Sequence, residues 1–258
     1  SINNQKDNNM PRVYETGHAK NVARFSELTS VCKAHGSDYK PSKIAIQIPN
    51  LEIIVSNARA AIANVTNNLV AFTSATNQRQ NAFYPLRKLS TRLVSALTVT
   101  DAADNTIDDM KSINKKIQGL RITKKTTIVA APADDETTNS TPDEKTISTS
   151  QQSYDQQVEH FAKMIALLKT EPSYSPNEVE LQINTLEDQL QFMRAASEAV
   201  TSAYISLSNS RIKRNEILYK KDTGLYDIAQ EVKKYIKSVF GATSPQYKQL
   251  NSLRFTSK

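Results

Sequence analysis

Apolar residues recur at intervals of four and three along two long stretches of this chain. In the first stretch they are Leu51, Val55, Ala58, Ile62, Val65, Leu69 and Phe72. In the second they are Leu186, Leu190, Met193, Val200, Tyr204 and Leu207, with Ser197 at the remaining position. This alternation places the residues on one face of a helix and suits packing against a nearly parallel neighbour. The pattern therefore predicts two long helices, each with one apolar face.

The two stretches belong to an internal repeat. Sliding residues 41–84 by 135 positions onto 176–219, without gaps, aligns identical residues at twelve positions. These are Pro41/Pro176, Gln47/Gln182, Ile48/Ile183, Leu51/Leu186, Glu52/Glu187, Arg59/Arg194, Ala60/Ala195, Ala61/Ala196, Val65/Val200, Thr66/Thr201, Arg79/Arg214 and Tyr84/Tyr219. Self-similarity at a fixed separation is the signature of repeated structural units. We therefore expect an all-α fold, an elongated helical bundle of two tandem repeats with pseudo-twofold symmetry.

The repeats are predicted over 15–123 and 151–258, and we expect them to pack as one bundle. Apolar spacing predicts first helices over 18–35 and 152–170, third helices over 86–99 and 223–240, and fourth helices over 102–118 and 244–251. Ser175-Pro176-Asn177-Glu178 has the residues of a helix start and predicts that the second long helix begins there and ends near Tyr219. Pro49 predicts a kink or a late start near Asn50 in the first long helix.

The segments outside the repeats are polar. Residues 1–14 are predicted to be a flexible tail, and residues 124–150, rich in Thr, Ser, Asp, Glu and Pro, have the composition of a linker. Within this linker, Thr127-Ile128-Val129 is a short run that an edge strand would accommodate.

Composition narrows the classes of function. The chain has only 5 Gly and contains no GxGxxG or P-loop motif, which argues against nucleotide-binding α/β folds. Cys32, the only cysteine, lies in an apolar helical pattern, so we expect it to be buried and unreactive. No apolar run is long enough for a transmembrane helix. The single cysteine and the lack of a visible signal peptide favour a cytoplasmic protein.

No catalytic, metal or cofactor site is predicted. His18, His35 and His160 lack metal-ligand spacing, and Asp101, Asp104, Asp108 and Asp109 suit the start of a helix. Glu52 and Glu187, at equivalent positions, are expected to form ion pairs between helices. No Ser, Cys or His is placed for nucleophilic catalysis in a recognisable motif.

A formal net charge of +7 raises the alternative of polyanion binding. Basic residues gather where each long helix ends, and Tyr84 and Tyr219 lie among them. The candidate contacts are Arg79, Arg87, Lys88, Arg211, Lys213, Arg214, Lys220 and Lys221. A solvated helix end explains the same residues.

Three segments carry a family resemblance: Arg12–Val22, Tyr39–Lys43 and Phe240–Lys248. In them the chain resembles a family of duplicated helical proteins of Bacteroidetes that carries no established activity. The resemblance implies a bacterial origin and transfers no functional residue.

The sequence thus favours a non-enzymatic scaffold or protein-interaction module that binds another protein or further copies of itself. Nucleic-acid binding through the basic helix ends is the main alternative. A membrane-active helical protein and an enzyme without short motifs are weaker ones.

Overall fold

The computed structural model describes residues 15–120 and 152–257, and within these ranges all regular secondary structure is helical. The predicted all-α class is confirmed. The α-helices are α1 (Glu15–Ala34), α2 (Ile48–Phe83), α3 (Leu86–Thr98), α4 (Asp104–Gln118), α5 (Tyr154–Thr170), α6 (Ile183–Tyr219), α7 (Leu225–Phe240) and α8 (Pro245–Ser252). The predicted tail 1–14 and linker 124–150, with its candidate edge strand, lie outside the described residues.

Local sequence signals set several helix ends. Ser153 and Ser244 are N-caps whose hydroxyl oxygens accept from the backbone N–H groups of Gln156 and Tyr247, which satisfies donors that a helix start leaves open. Gly119 and Gly241 follow α4 and α7 with φ values of 72° and 89°, a backbone region that favours glycine.

The predicted start of the second long helix at Ser175-Pro176 is wrong. α6 begins at Ile183, after an irregular segment and a 3-10 turn over Val179–Leu181. The Tyr174 hydroxyl donates to the Leu181 carbonyl oxygen at 2.8 Å, so a tertiary contact holds this segment in a folded loop and overrides the capping signal. α2 begins at Ile48 with Pro49 in its first turn, where proline is tolerated, close to the predicted late start.

The helices form two compact units whose boundaries differ from those of the predicted repeats. Of the described residues, 15–72 and 203–257 form unit 1, and 73–120 and 152–202 form unit 2. Each unit therefore contains the beginning of one predicted repeat and the end of the other. The reason is that α2 and α6 each continue across a unit boundary.

The core of unit 1 joins α1 to α7. Phe25 and Leu28 of α1 have no exposed surface, and neither do Val232 and Ile236 of α7, and all four lie in one apolar cluster. Cys32 is buried in the same cluster, as predicted. Truncating a fully buried phenylalanine to alanine costs roughly 3–5 kcal/mol of stability, so Phe25 is a main contributor to this unit.

The core of unit 2 joins α5 to α3 and α4. Phe161 and Met164 of α5 are fully buried with Leu93 of α3 and Met110 of α4. The first turns of α6 close this cluster through Leu186 and Met193, which are also fully buried.

The predicted apolar faces of the long helices are largely buried. In α2, Leu51, Ala58 and Val65 are at most 2 % exposed, and in α6, Leu186, Met193 and Leu207 are fully buried. Two members of the pattern, at positions that the shift of 135 makes equivalent, are exceptions: Leu69 is 36 % exposed and Tyr204 is 52 % exposed.

Candidate functional site

Five of the predicted basic contacts lie in unit 1, at the end of α6 and just after it. Lys213, Lys220 and Lys221 are exposed and Arg211 is half-buried. Arg214 is only 1 % exposed, and its Nε and Nη2 donate to the Asn215 side-chain oxygen at 3.2 and 2.9 Å. The arginine is therefore part of the packed interior, whereas the three lysines are open to solvent.

The other three predicted basic contacts lie in unit 2. Arg79 is half-buried, with its guanidinium 4.1 Å from the centre of the Tyr154 ring, a cation–π contact. Arg87 and Lys88 are exposed on α3. Arg87 Nη2 donates to the Gln152 side-chain oxygen at 3.3 Å, and Lys88 borders a hollow of about 330 Å³ that Arg92 and Glu180 also line. Five of the eight predicted residues are thus exposed.

The apolar pattern of the long helices accounts for the partial burial of Arg79 and the full burial of Arg214. Continuing the alternation of four and three beyond Phe72 leads to Thr76, Arg79 and Phe83, and continuing it beyond Leu207 leads to Arg211, Arg214 and Leu218. Arg79 and Arg214 therefore lie on the packing face of their helix. Their positive charge suggested a surface, but their place in the apolar pattern indicated burial.

A buried polar network lies beside Tyr219 in unit 1. His18 Nδ1 is 2.7 Å from the Tyr219 hydroxyl, which also accepts from the Asn21 amide at 3.2 Å. Asn21 is fully buried and pairs with the backbone of Thr256, donating to its carbonyl oxygen at 2.8 Å and accepting from its N–H at 3.0 Å. Burial raises the pKa of Tyr219, so its hydroxyl keeps its proton. The network attaches the chain segment after α8 to α1.

The predicted interhelical ion pairs are confirmed. Lys33 Nζ of α1 is 2.8 Å from the Glu52 carboxylate of α2, and Lys169 of α5 pairs with Glu187 of α6. All four side chains are substantially exposed, so each pair contributes little to stability and mainly fixes the direction in which the first helix runs.

Unit 1 also exposes apolar side chains in the middle of both long helices. Consecutive residues Leu69 and Val70 are 36 % and 64 % exposed in α2, and consecutive residues Tyr204 and Ile205 are each 52 % exposed in α6. These pairs are separated by the same 135 positions as the sequence repeat. The Tyr204 ring lies 6.1 Å from that of Phe72, so residues of both helices meet here. We call Leu69, Val70, Tyr204 and Ile205 the apolar surface.

Across residues 15–120 and 152–257, no three His, Cys, Asp or Glu side chains are placed to hold a metal ion. Among the helices of these same ranges, none has both the length and the apolar character needed to cross a membrane.

Comparison of the chain with protein-family models, with curated proteins and with solved structures finds no match. The resemblance to a family of Bacteroidetes proteins stays a prediction.

Proposed function

We propose that this protein is a non-enzymatic interaction module built by tandem duplication, and that it binds a protein partner, a second copy of itself in the first instance, through the apolar surface. The observation that carries the proposal is the pair of exposed apolar dipeptides, Leu69-Val70 in α2 and Tyr204-Ile205 in α6, at positions that the shift of 135 makes equivalent. Clustered exposed apolar side chains are typical of surfaces that another molecule covers.

Equivalent contacts in the two sequence halves support the duplication and its pseudo-twofold relation. Tyr39 donates to the Ile46 carbonyl oxygen at 2.6 Å, just as Tyr174 donates to that of Leu181. The ion pairs Lys33–Glu52 and Lys169–Glu187 form a second matched pair of contacts. Such agreement at the level of individual hydrogen bonds is expected of copies that have kept one local fold.

The repetition of the apolar surface favours self-association. A twofold dimer interface uses the same patch on both subunits, so a surface that already carries two related apolar pairs suits a second copy of itself. Aromatic and aliphatic side chains of this kind form the centres of protein interfaces.

Light scattering on a size-exclusion column tests the proposal. We expect the wild-type protein to form dimers or larger assemblies as its concentration rises, and Val70→Glu or Ile205→Glu to shift it to the monomer. Asn57→Glu is the matched control, because it adds the same charge at an exposed position of α2 outside the apolar surface. A wild-type monomer at every concentration up to about 100 µM, a level at which specific interfaces form, would refute self-association.

The exposed lysines at the end of α6 favour polyanion binding as a second candidate function. Lys213, Lys220 and Lys221 lie within nine residues of one another and all face solvent. Phosphate contacts make affinity fall steeply with salt. Replacing all three lysines with glutamine is expected to weaken binding to a single-stranded oligonucleotide and to flatten its salt dependence. No binding of the wild type at low salt would exclude this function.

A further inference from the structure

Unit 2 contains a cleft of about 570 Å³ between α3 and the folded loop that precedes α6. Arg92, Ala96 and Thr100 line it from α3 and the residues just after it, and Tyr174, Ser175 and Leu181 line it from the loop side. Its volume lies in the range of small-molecule sites, which are about 300–1,000 Å³.

Unit 1 has a related arrangement, in which a tyrosine fills the corresponding space. Tyr235 of α7 lies against Tyr39, with ring centres 5.3 Å apart and ring planes at 90°. Its hydroxyl accepts from the backbone N–H of Lys40 at 3.2 Å. Tyr39 in turn donates to the Ile46 carbonyl oxygen, as Tyr174 does to that of Leu181 beside the cleft.

The buried residues of α3 and α7 establish which positions correspond. Leu86, Ser90, Leu93 and Leu97 of α3 have the same spacing as Leu225, Ala229, Val232 and Ile236 of α7, and all eight are at most 1 % exposed. A constant shift of 139 relates the two sets. At that shift Ala96 corresponds to Tyr235. The cleft in unit 2 is therefore open where unit 1 holds a phenol ring.

The polar groups around the cleft match those that hold the Tyr235 ring. Tyr174 corresponds to Tyr39, and Ser175 corresponds to Lys40 at the shift of 135. Within the described residues, neither Ser175 nor Asn177, which also lines the cleft, makes a hydrogen bond to another residue. A ligand that brings a ring and a hydroxyl would restore both contacts that unit 1 makes internally.

We infer that the cleft of unit 2 binds a small phenolic ligand, whose ring packs edge-on against Tyr174 and whose hydroxyl accepts from the Ser175 N–H. This inference goes beyond the proposed function. It rests on the proposed duplication and does not depend on self-association. Arg92 is paired with Glu180, and the carboxylate of Glu178 also lines the cleft, so the site disfavours an anion and favours a neutral phenol over a phenolate.

The first experiment measures binding of p-cresol to the full chain by calorimetry and by the amide NMR shifts of residues 95–100 and 173–178. We expect saturable binding that Ala96→Tyr abolishes, because the new side chain occupies the cleft as Tyr235 does in unit 1. Toluene is expected to bind roughly 3- to 10-fold more weakly, since it lacks the hydroxyl. Binding of p-cresol that Ala96→Tyr leaves unchanged would overturn the inference. N-acetyl-tyrosinamide tests a peptide source, and binding tighter than that of p-cresol would overturn the assignment to a small free ligand.

The converse variant separates the inference from the duplication and does not depend on Ala96→Tyr folding. Tyr235→Ala should open a cleft in unit 1, and p-cresol should then raise the melting temperature of this variant more than that of the wild type. If p-cresol binds Tyr235→Ala but not the wild type, the correspondence of the clefts holds and the ligand assignment fails. If it binds neither protein, both the ligand assignment and the correspondence of the clefts are wrong. The self-association experiment is unaffected by either result.

Discussion

Replacing Asn21 with alanine should release the chain segment that follows α8. Asn21 has no exposed surface, and its amide is the side-chain partner of both the N–H and the carbonyl oxygen of Thr256. Leu253 and Arg254 are also held in this segment, because their carbonyl oxygens accept from Lys233 and Arg24. Asn21 is thus the last of a series of side chains that fix the segment.

The expected magnitude follows from three hydrogen bonds. Two of them, at 2.8 and 3.0 Å, join Asn21 to Thr256, and the third, at 3.2 Å to the Tyr219 hydroxyl, is weaker. Each buried hydrogen bond contributes about 0.5–1.5 kcal/mol, so Asn21→Ala should lower the free energy of unfolding by about 2–4 kcal/mol once the vacated volume is included.

Urea denaturation followed by circular dichroism at 222 nm measures the loss, with Asn67→Ala as the control. Asn67 is an exposed asparagine of α2 in the same unit, and its replacement should change stability by less than about 0.5 kcal/mol. A second variant that ends the chain at Phe255 removes Thr256, so its effect should not add to that of Asn21→Ala. Full additivity, or a loss below about 0.5 kcal/mol for Asn21→Ala, would refute the pairing.

Four further predictions follow from individual residues. Burial, with Lys116 and Lys163 nearby, lowers the pKa of His160, so the unfolded chain takes up a proton at this residue at a higher pH than the folded protein does. The stability is therefore retained above about pH 6.5 and falls below it. His160→Leu should reduce the difference in melting temperature between about pH 7.5 and about pH 5.5. Burial raises the pKa of Cys32 to about 12, so a thiol reagent at pH 8 should label it only after denaturation, and rapid labelling of the native protein would contradict this. A Cβ at Gly224 would lie 2.6 Å from a backbone nitrogen, so Gly224→Ala should destabilise the protein by about 1–3 kcal/mol in urea. Residues 15–123 alone should not fold as a monomer, because Leu225, Val232 and Ile236 of α7, which complete the core around α1, lie outside this fragment. A cooperative thermal transition of that monomeric fragment would contradict this.

Helix locations could be predicted from the sequence because periodicity is a local signal. The predicted third helix over 86–99 is observed as Leu86–Thr98, and the predicted fourth helix over 102–118 as Asp104–Gln118. The start of α6 could not be predicted in this way, since the Tyr174 hydroxyl bonds to a carbonyl group seven residues further on. The sequence could not predict which helices belong to each unit either, because this depends on which helices pair across about 200 residues of chain.

The candidate sites show the same division between local and tertiary information. The exposure of Lys220 and Lys221 follows from their place in a polar turn after α6. The burial of Arg214 follows from its place on the packing face of α6, although its charge predicts a surface position. The cleft had no sequence signal of its own, because Ala96 is an ordinary residue in an amphipathic helix. Ala96 indicates a cleft only when it is compared with Tyr235, the residue at the corresponding position of α7.

Differences between the proposed copies say more about function than their agreements do. Where the copies agree, as at Tyr39 and Tyr174, the shared hydrogen bond is explained by the need to fold the loop before each long helix. In both units an ion pair joins a helix to that loop, but the signs of the charges are exchanged. Glu231 of α7 accepts from Lys43 of the loop in unit 1, whereas Arg92 of α3 donates to Glu180 of the loop in unit 2.

Both units therefore keep an ion pair at this place although the signs of the two charges are exchanged, as expected of a contact that the fold requires. The ring of Tyr235 has no such substitute in unit 2, where the space stays open and polar groups border it. A single substitution to tyrosine would fill the cleft and stabilise the fold, since buried aromatic area is among the larger stabilising contributions. An opening that the fold does not require, lined by groups able to hold a ring and a hydroxyl, is for this reason the part of the molecule most directly explained by a ligand.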